Sequence, residues 1–268
     1  MSQVSQFHYK IILSYKGTNY RGWQFQTTSP ETVENYVRKV LVTIANYEKF
    51  QLMAASRTDS GVHALGQVLK VTLPRQIEAC KLASGMNSKL PSDIKVRSCK
   101  PCKKSFNPNK DPISKEYNYF FIPKSIKCPT LLETCYYISY DLNISLMKKA
   151  CTLMTGKHDF FHYCSKTEGI SQTIREITYC KIEKTSFLPF EPEVFFLKIE
   201  AQGFLKYMVR FIMNALIEVG KENITLAQFR DSLNRNQSSF QKKKAPAHAL
   251  HLIKVNYDFI PKESEATA

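Results

Sequence analysis

No apolar stretch of this chain approaches the ~20 residues that a membrane-spanning helix needs, so a helical membrane span is not expected. Basic amphipathic segments rich in Trp and Phe are missing too, which removes a protein that lies on a bilayer surface. Carboxylates are scarce and scattered, too sparse for the paired acids of a two-metal nuclease. There is no phosphate-binding loop, no dinucleotide fingerprint and no S-x-x-K. Strand-like sequence is reached by Phe7, so a secretory or transit leader is not expected. The eight cysteines, at positions 80, 99, 102, 128, 135, 151, 164 and 180, have no regular spacing, and a disulfide framework is not expected either. Cys99 and Cys102 have metal-like spacing, but His158 and His162 lie too far downstream to complete a recognisable zinc motif. The expectation is a chain with reduced cysteines, no metal and no cofactor, in a cytoplasmic setting.

What is present in excess is positive charge. Against 23 Asp and Glu stand 38 Lys and Arg, a formal charge of +15. Such a surplus speaks of partners and not of fold, and the natural partner is a polyanion. With 43% hydrophobic residues in 268, the chain can still bury a sizeable core.

Periodicity predicts an α+β chain. Tyr9, Ile11, Leu13 and Tyr15 alternate with more polar neighbours, as in a half-buried strand. A glycine-punctuated loop, Gly17 to Gln24, holds the only tryptophan, Trp23. Ser29 and Pro30 read as a helix start, followed by Val33, Val37, Val40, Leu41 and Ile44 at helical spacing. Gln67–Leu73 reads as a strand. From Cys99 to Ser114 the sequence turns basic and proline-rich, which predicts a boundary between two halves, 1–103 and 104–268. The second half opens on a strand, Lys115 to Phe121. A helix starting at Ser145 follows, then strands around Ile174–Ile182 and Val194–Ala201. A long apolar stripe runs from Phe204 to Val219, Thr225 and Gln228 match a capping box, and Leu250–Tyr257 reads as the last strand.

The densest chemistry lies in Ser56-Arg57-Thr58-Asp59-Ser60-Gly61-Val62-His63-Ala64. One carboxylate, Asp59, sits beside an arginine and two hydroxyls, on a turn that Gly61 lets bend freely. A reactive carboxylate needs its protonation state controlled, and a guanidinium favours the charged form. Arg57 is adjacent. Arg210 falls off the apolar stripe of its helix and is free to face a cleft. Tyr117 could stack on a base, worth roughly 1–3 kcal/mol, yet Tyr119 has the same periodicity and spacing does not choose between them. Lys100, Lys103, Lys104, Lys110, Lys115, Lys124 and Lys127 crowd one region with Phe106, Tyr117, Tyr119 and Phe120 among them, a mixture suited to an RNA groove.

These motifs, in order, resemble the TruA family of tRNA pseudouridine synthases. The resemblance starts at Tyr15-Lys16-Gly17-Thr18-Asn19-Tyr20-Arg21-Gly22-Trp23-Gln24 and continues through Thr32-Val33-Glu34 and the Asp59 loop. It resumes at Lys115-Glu116-Tyr117-Asn118-Tyr119, Gly156-Lys157-His158-Asp159-Phe160 and Thr173-Ile174-Arg175. Gly203 to Arg210, Ala245-Pro246-Ala247 and Val255-Asn256-Tyr257 complete it. It implies two similar α+β halves whose antiparallel sheets join into one large sheet flanked by helices, with a basic cleft between them. It implies a cofactor-free isomerase that turns uridine into pseudouridine in tRNA, at positions 38, 39 and 40 of the anticodon arm, and a homodimer that holds tRNA across both subunits.

By matching position, Asp59 would be the catalytic acid, adding to the base or the sugar or abstracting a sugar proton. Arg57 would fill the gap left by the flipped uridine, Tyr117 would stack on it, and Arg210 would pair with Asp59. Phe106, Asn107, Lys110, Lys166 and Leu250 fall among the expected substrate contacts. Ser56, Asn109, Asn214 and Ala249 depart from the family pattern. The alternative is a catalytically silent RNA-binding or chaperone protein on the same scaffold, distinguished by whether Asp59→Asn abolishes a product.

Overall fold

The structure, a computed structural model, describes residues 6–124, 129–165, 172–186, 193–234 and 243–258. Its strands, in chain order, are β1 (Phe7–Tyr15), β2 (Gln51–Ala54), β3 (His63–Leu73), β4 (Ile94–Pro101), β5 (Pro112–Pro123), β6 (Tyr136–Ile138), β7 (Gly156–Asp159), β8 (Ile174–Thr185), β9 (Val194–Ala201) and β10 (Leu250–Tyr257). The helices are α1 (Val33–Ile44), α2 (Ala79–Lys89), α3 (Ile144–Met154), α4 (Met208–Gly220) and α5 (Leu226–Asp231). All ten strands join one sheet in the order β4-β1-β3-β10-β5-β9-β8-β7, with β2 added to β3 and β6 to β5. The expected single large sheet flanked by helices is therefore what the chain forms. Pairing is antiparallel except at two places. β6 runs parallel to β5, and β10 meets β3 in a short parallel seam through His251 opposite His63 and Leu252 opposite Ala64.

β1 follows its alternation: Tyr9, Ile11, Leu13 and Tyr15 are all buried. β3, in mid-sheet, is buried along nearly its whole length because neighbours cover both faces. Helix α1 packs beside α2, which lies on β4; α3 packs on β8, α4 and α5. One continuous core joins Leu13, Val37 and Leu69 of the first half to Phe121, Met147, Ile212 and Leu216 of the second.

Three helix starts differ from the sequence reading. α1 is capped by Thr32, whose hydroxyl accepts from Asn35 N, and not by Ser29. Its first amides, Val33 N and Glu34 N, donate to Gly22 O and Trp23 O at 3.1 and 3.0 Å, so a distant loop supplies the partners that a local cap would give. α3 starts after Asn143, whose side chain accepts from Leu146 N, and not at Ser145. α4 starts only at Met208, because Tyr207 is left-handed (φ 65°) and interrupts the stripe that began at Phe204. The proline-rich segment is also more regular than expected: β4 reaches Pro101 and β5 starts at Pro112. The Thr225–Gln228 capping box and the strand Leu250–Tyr257 form as read.

Candidate active site

The stretch Ala55–Val62 connects β2 to β3 and is held from several sides. The buried Gln67 side chain brackets Ser56: its Oε1 accepts from Ser56 N at 3.2 Å and its Nε2 donates to Ser56 O at 2.7 Å. Thr58 Oγ1 shares a 2.7 Å hydrogen bond with the Tyr15 hydroxyl. Asp59 opens a tight turn that Val62 N closes by donating to Asp59 O at 3.1 Å, with Gly61 at φ +79°. Trp23 N donates to Thr58 O and Gly61 N donates to Tyr20 O, so the 17–24 loop is stitched directly to the Asp59 turn. The fit leaves no room. A Cβ on Gly17 would lie 2.0 Å from Val62 O, and one on Gly22, at φ +91°, would lie 2.7 Å from Thr58 O. Two motifs that stand apart in the sequence are one structure.

Asp59 faces a cavity of about 1040 Å³, lined among others by Trp23, Arg57, Thr58, Lys115, Tyr117, Phe204, Lys206, Tyr207 and Leu250. That volume lies at the top of the roughly 300–1,000 Å³ typical of small-molecule sites, enough for a nucleotide together with part of its chain. The Asp59 side chain is 20% exposed, and its Oδ2 lies 3.8 Å from Arg210 Nη1. Burial pushes the Asp59 carboxyl above its ordinary value, while Arg210, then Lys206 and Lys244, pull it back toward the carboxylate form. Arg210 is fixed at both ends: its Nε donates to Ala245 O at 2.7 Å and its own carbonyl accepts from Ala245 N at 3.1 Å. Its guanidinium also lies 5.5 Å from the centre of the Tyr207 ring, over which Lys244 stands at 4.1 Å and Lys206 at 5.2 Å.

Geometry chooses between the two tyrosines that spacing left equal. Tyr119 is fully buried and donates to Pro246 O at 2.9 Å. Tyr117 lines the cavity, meets Phe204 edge to face at 5.2 Å, and has its phenol pushed up to about 12 by burial, with the Ser56 side chain working the other way. Arg57 is exposed and lines the same cavity, as does the buried Leu250.

The basic loop contributes less directly. Phe106 packs against Tyr257 at 5.2 Å, with the Lys10 ammonium over both rings. Asn107 spends its side chain on its own turn, accepting from Asn109 N and Lys110 N at 3.0 and 3.1 Å. Of this loop it is Asn109, one of the departures from the family pattern, that lines the cavity; Phe106, Asn107 and Lys110 do not. Lys166 lies outside the described residues. Cys99 is on β4 and His158 on β7, at opposite ends of the sheet. Among the described residues no three His, Cys, Asp or Glu side chains converge on a metal-sized point, and no helix is long and apolar enough to cross a membrane.

Sequence reasoning placed Lys115 in a basic RNA groove, where it lines the cavity, but passed over Phe204, Lys206 and Tyr207. Phe204 and Tyr207 were hidden by their helix-like spacing.

A family model described as tRNA pseudouridine synthase matches residues 11–109 and 150–258. The chain is 37% identical over 257 residues to a protein named tRNA pseudouridine synthase A 2 from Desulfotalea psychrophila, covering 92% of this chain and 98% of that one. It is 37% identical over 248 residues to tRNA pseudouridine synthase A of a Thermoanaerobacter species, with the same coverage. To tRNA pseudouridine synthase A of Phytoplasma mali it is 32% identical over 254 residues, covering 95% of this chain and 100% of the relative.

Proposed function

We propose, since this chain belongs to the tRNA pseudouridine synthase family, that the cavity at Asp59 is where it isomerises uridine to pseudouridine in tRNA. The observation that carries the assignment is a partly buried carboxylate facing the cavity, an anchored guanidinium 3.8 Å from it, and an aromatic ring two strands away that lines the same cavity. The reaction breaks the bond from C1′ of the ribose to N1 of uracil, turns the base, and forms a bond from C1′ to C5. N1 gains a proton and C5 loses one, so atoms balance without any change of oxidation state.

Asp59 is the acid-base and nucleophilic centre of this reading. Arg210, the nearest of the three cations that oppose its burial, holds it as a carboxylate. A uridine inside a helix must leave its stack to reach that carboxylate, at a cost of a few kcal/mol. Tyr117 offers the face on which the everted base rests. The exposed Arg57 is the side chain free to enter the gap left behind. Leu250 packs beside the base, and the Phe106–Lys110 loop and Lys166 contact the RNA further out.

The finer assignment is to uridines 38, 39 and 40 of the anticodon arm, by a cytoplasmic homodimer. The chain divides at 1–103 and 104–268, and the β3–β10 seam joins the two halves beside the cavity.

The test is pseudouridine formation on an unmodified tRNA transcript by the wild type and by Asp59→Asn. Product should be lost in the variant while tRNA binding persists. Equal product from both would end the assignment, and mapping the modified positions checks the anticodon arm. Light scattering of the free protein and of its tRNA complex checks the dimer.

A further inference from the structure

Among the described residues, Lys115 is the one buried cation that lines this cavity. It stands on β5, sharing a face with Tyr117 two residues on. The residue is 9% exposed, and its Nζ donates to Ala55 O at 2.6 Å, the carbonyl just before the Asp59 loop. An ammonium has three hydrogens to give. Among the described residues no carboxylate pairs with it. Glu116 points to the opposite face, 3.7 Å from Lys198. Asp59 is paired with Arg210. The strand neighbours of Lys115 are Ala201 on β9 and Val255 on β10, both apolar. The other charged or titratable groups lining the cavity are Arg21, Glu34, Arg38, Arg57, Tyr117, Lys206 and Tyr207, of which the carboxylate Glu34 is paired with Arg38. Burial alone lowers its ammonium to about 8.

A buried ammonium held by one carbonyl costs stability that an apolar residue would not. The cost makes sense if a ligand completes the site. We propose that Lys115 binds a backbone phosphate of the tRNA beside the everted uridine. The inference rests on the tRNA-modifying reading above. It sits roughly 6.6 Å along the strand from Tyr117, which puts the cation beside the base and not on it. An anionic oxygen is the partner that restores full charge to a desolvated amine.

The affinity for a tRNA transcript is to be measured by fluorescence anisotropy across about pH 7 to 9 for the wild type, Lys115→Arg and Lys115→Met, with product formation followed on the same samples. Wild-type binding should weaken about tenfold over that range, because the protonated fraction of a group near pH 8 falls by that factor. Lys115→Arg, charged throughout, should bind as tightly as the wild type at neutral pH and stay flat. Lys115→Met should bind more weakly at every pH, and its dependence of log Kd on log salt should be shallower by about one unit. A flat wild-type profile, or the same alkaline loss in Lys115→Arg, overturns the proposal. So does a Lys115→Met variant with wild-type affinity and salt slope. If Lys115→Met does not fold, the arginine comparison decides alone. Titration of the RNA itself appears equally in all variants. Failure of the synthase reading shows separately, as wild-type protein that makes no pseudouridine at any pH.

Discussion

Removing Arg210 should move the acid side of the activity profile and not simply lower its height. Arg210 Nη1 lies 3.8 Å from Asp59 Oδ2. Two unit charges at that distance attract by about 4 kcal/mol at the effective dielectric of a partly wet site. Solvent reaches both groups, at 13% and 20% side-chain exposure, and Lys206 and Lys244 remain beside Asp59 in the variant. The net effect is then a fraction of that figure, about 1–2 pH units. The sign follows from the charge. A cation stabilises the carboxylate, so its loss raises the pKa and shrinks the ionised fraction at any given pH. Arg210→Met should therefore need a pH about 1–2 units higher to reach half of its own maximal rate, while Arg210→Lys should shift less. The assay is release of tritium from C5 of uridine in tRNA, since C5 loses its hydrogen only when the new carbon bond forms. A profile of unchanged midpoint with a lower plateau would refute the electrostatic role and leave Arg210 as a purely steric support.

Other outcomes are equally open to measurement. Because burial raises the Asp59 pKa in the folded state, its charge opposes folding above the normal carboxyl range, and below that range the group is neutral in both states. Asp59→Asn should accordingly keep or raise Tm at neutral pH; a clear drop would show that the carboxylate is a structural support. Gly22→Ala forces a Cβ to 2.7 Å from Thr58 O at φ +91°. It should cost about 1–3 kcal/mol, read by urea unfolding, and lower kcat by displacing the Asp59 turn. Tyr117→Phe should keep activity within about threefold, whereas Tyr117→Leu should lose the stacking worth roughly 1–3 kcal/mol, seen in single-turnover rates. At the β3–β10 seam the His63 and His251 rings stack at 4.5 Å, and burial lowers the His251 imidazole to about 3. The unfolded chain takes up that proton from about pH 6.5 downward while the folded chain refuses it, so stability present above that pH is lost on acidification. The slope should be on the order of 1 kcal/mol per pH unit, and His251→Leu should flatten it in pH-dependent melts.

Local physics made much of this molecule readable from its residues. The alternation of β1, the capping box at Thr225 and Gln228, the closing strand Leu250–Tyr257 and the glycine-bent carboxylate loop are set by neighbours a few positions apart. Steric preference and two- or four-residue periodicity act at that range. What depended on remote partners was read wrongly or left open. Ser29 looked like a helix cap, but the Gly22 and Trp23 carbonyls took the amides and moved the start to Thr32. The stripe through Phe204 and Tyr207 looked helical, but the left-handed Tyr207 frees both residues to line the cavity. Tyr117 and Tyr119 share a strand and a face, and only the packing around them decides that Pro246 takes up the hydroxyl of Tyr119 while Tyr117 lines the cavity. The short parallel seam of β10 on β3 and the approach of Arg210 to Asp59 are decided by the tertiary structure alone, because they join chain segments whose local sequences carry no record of each other.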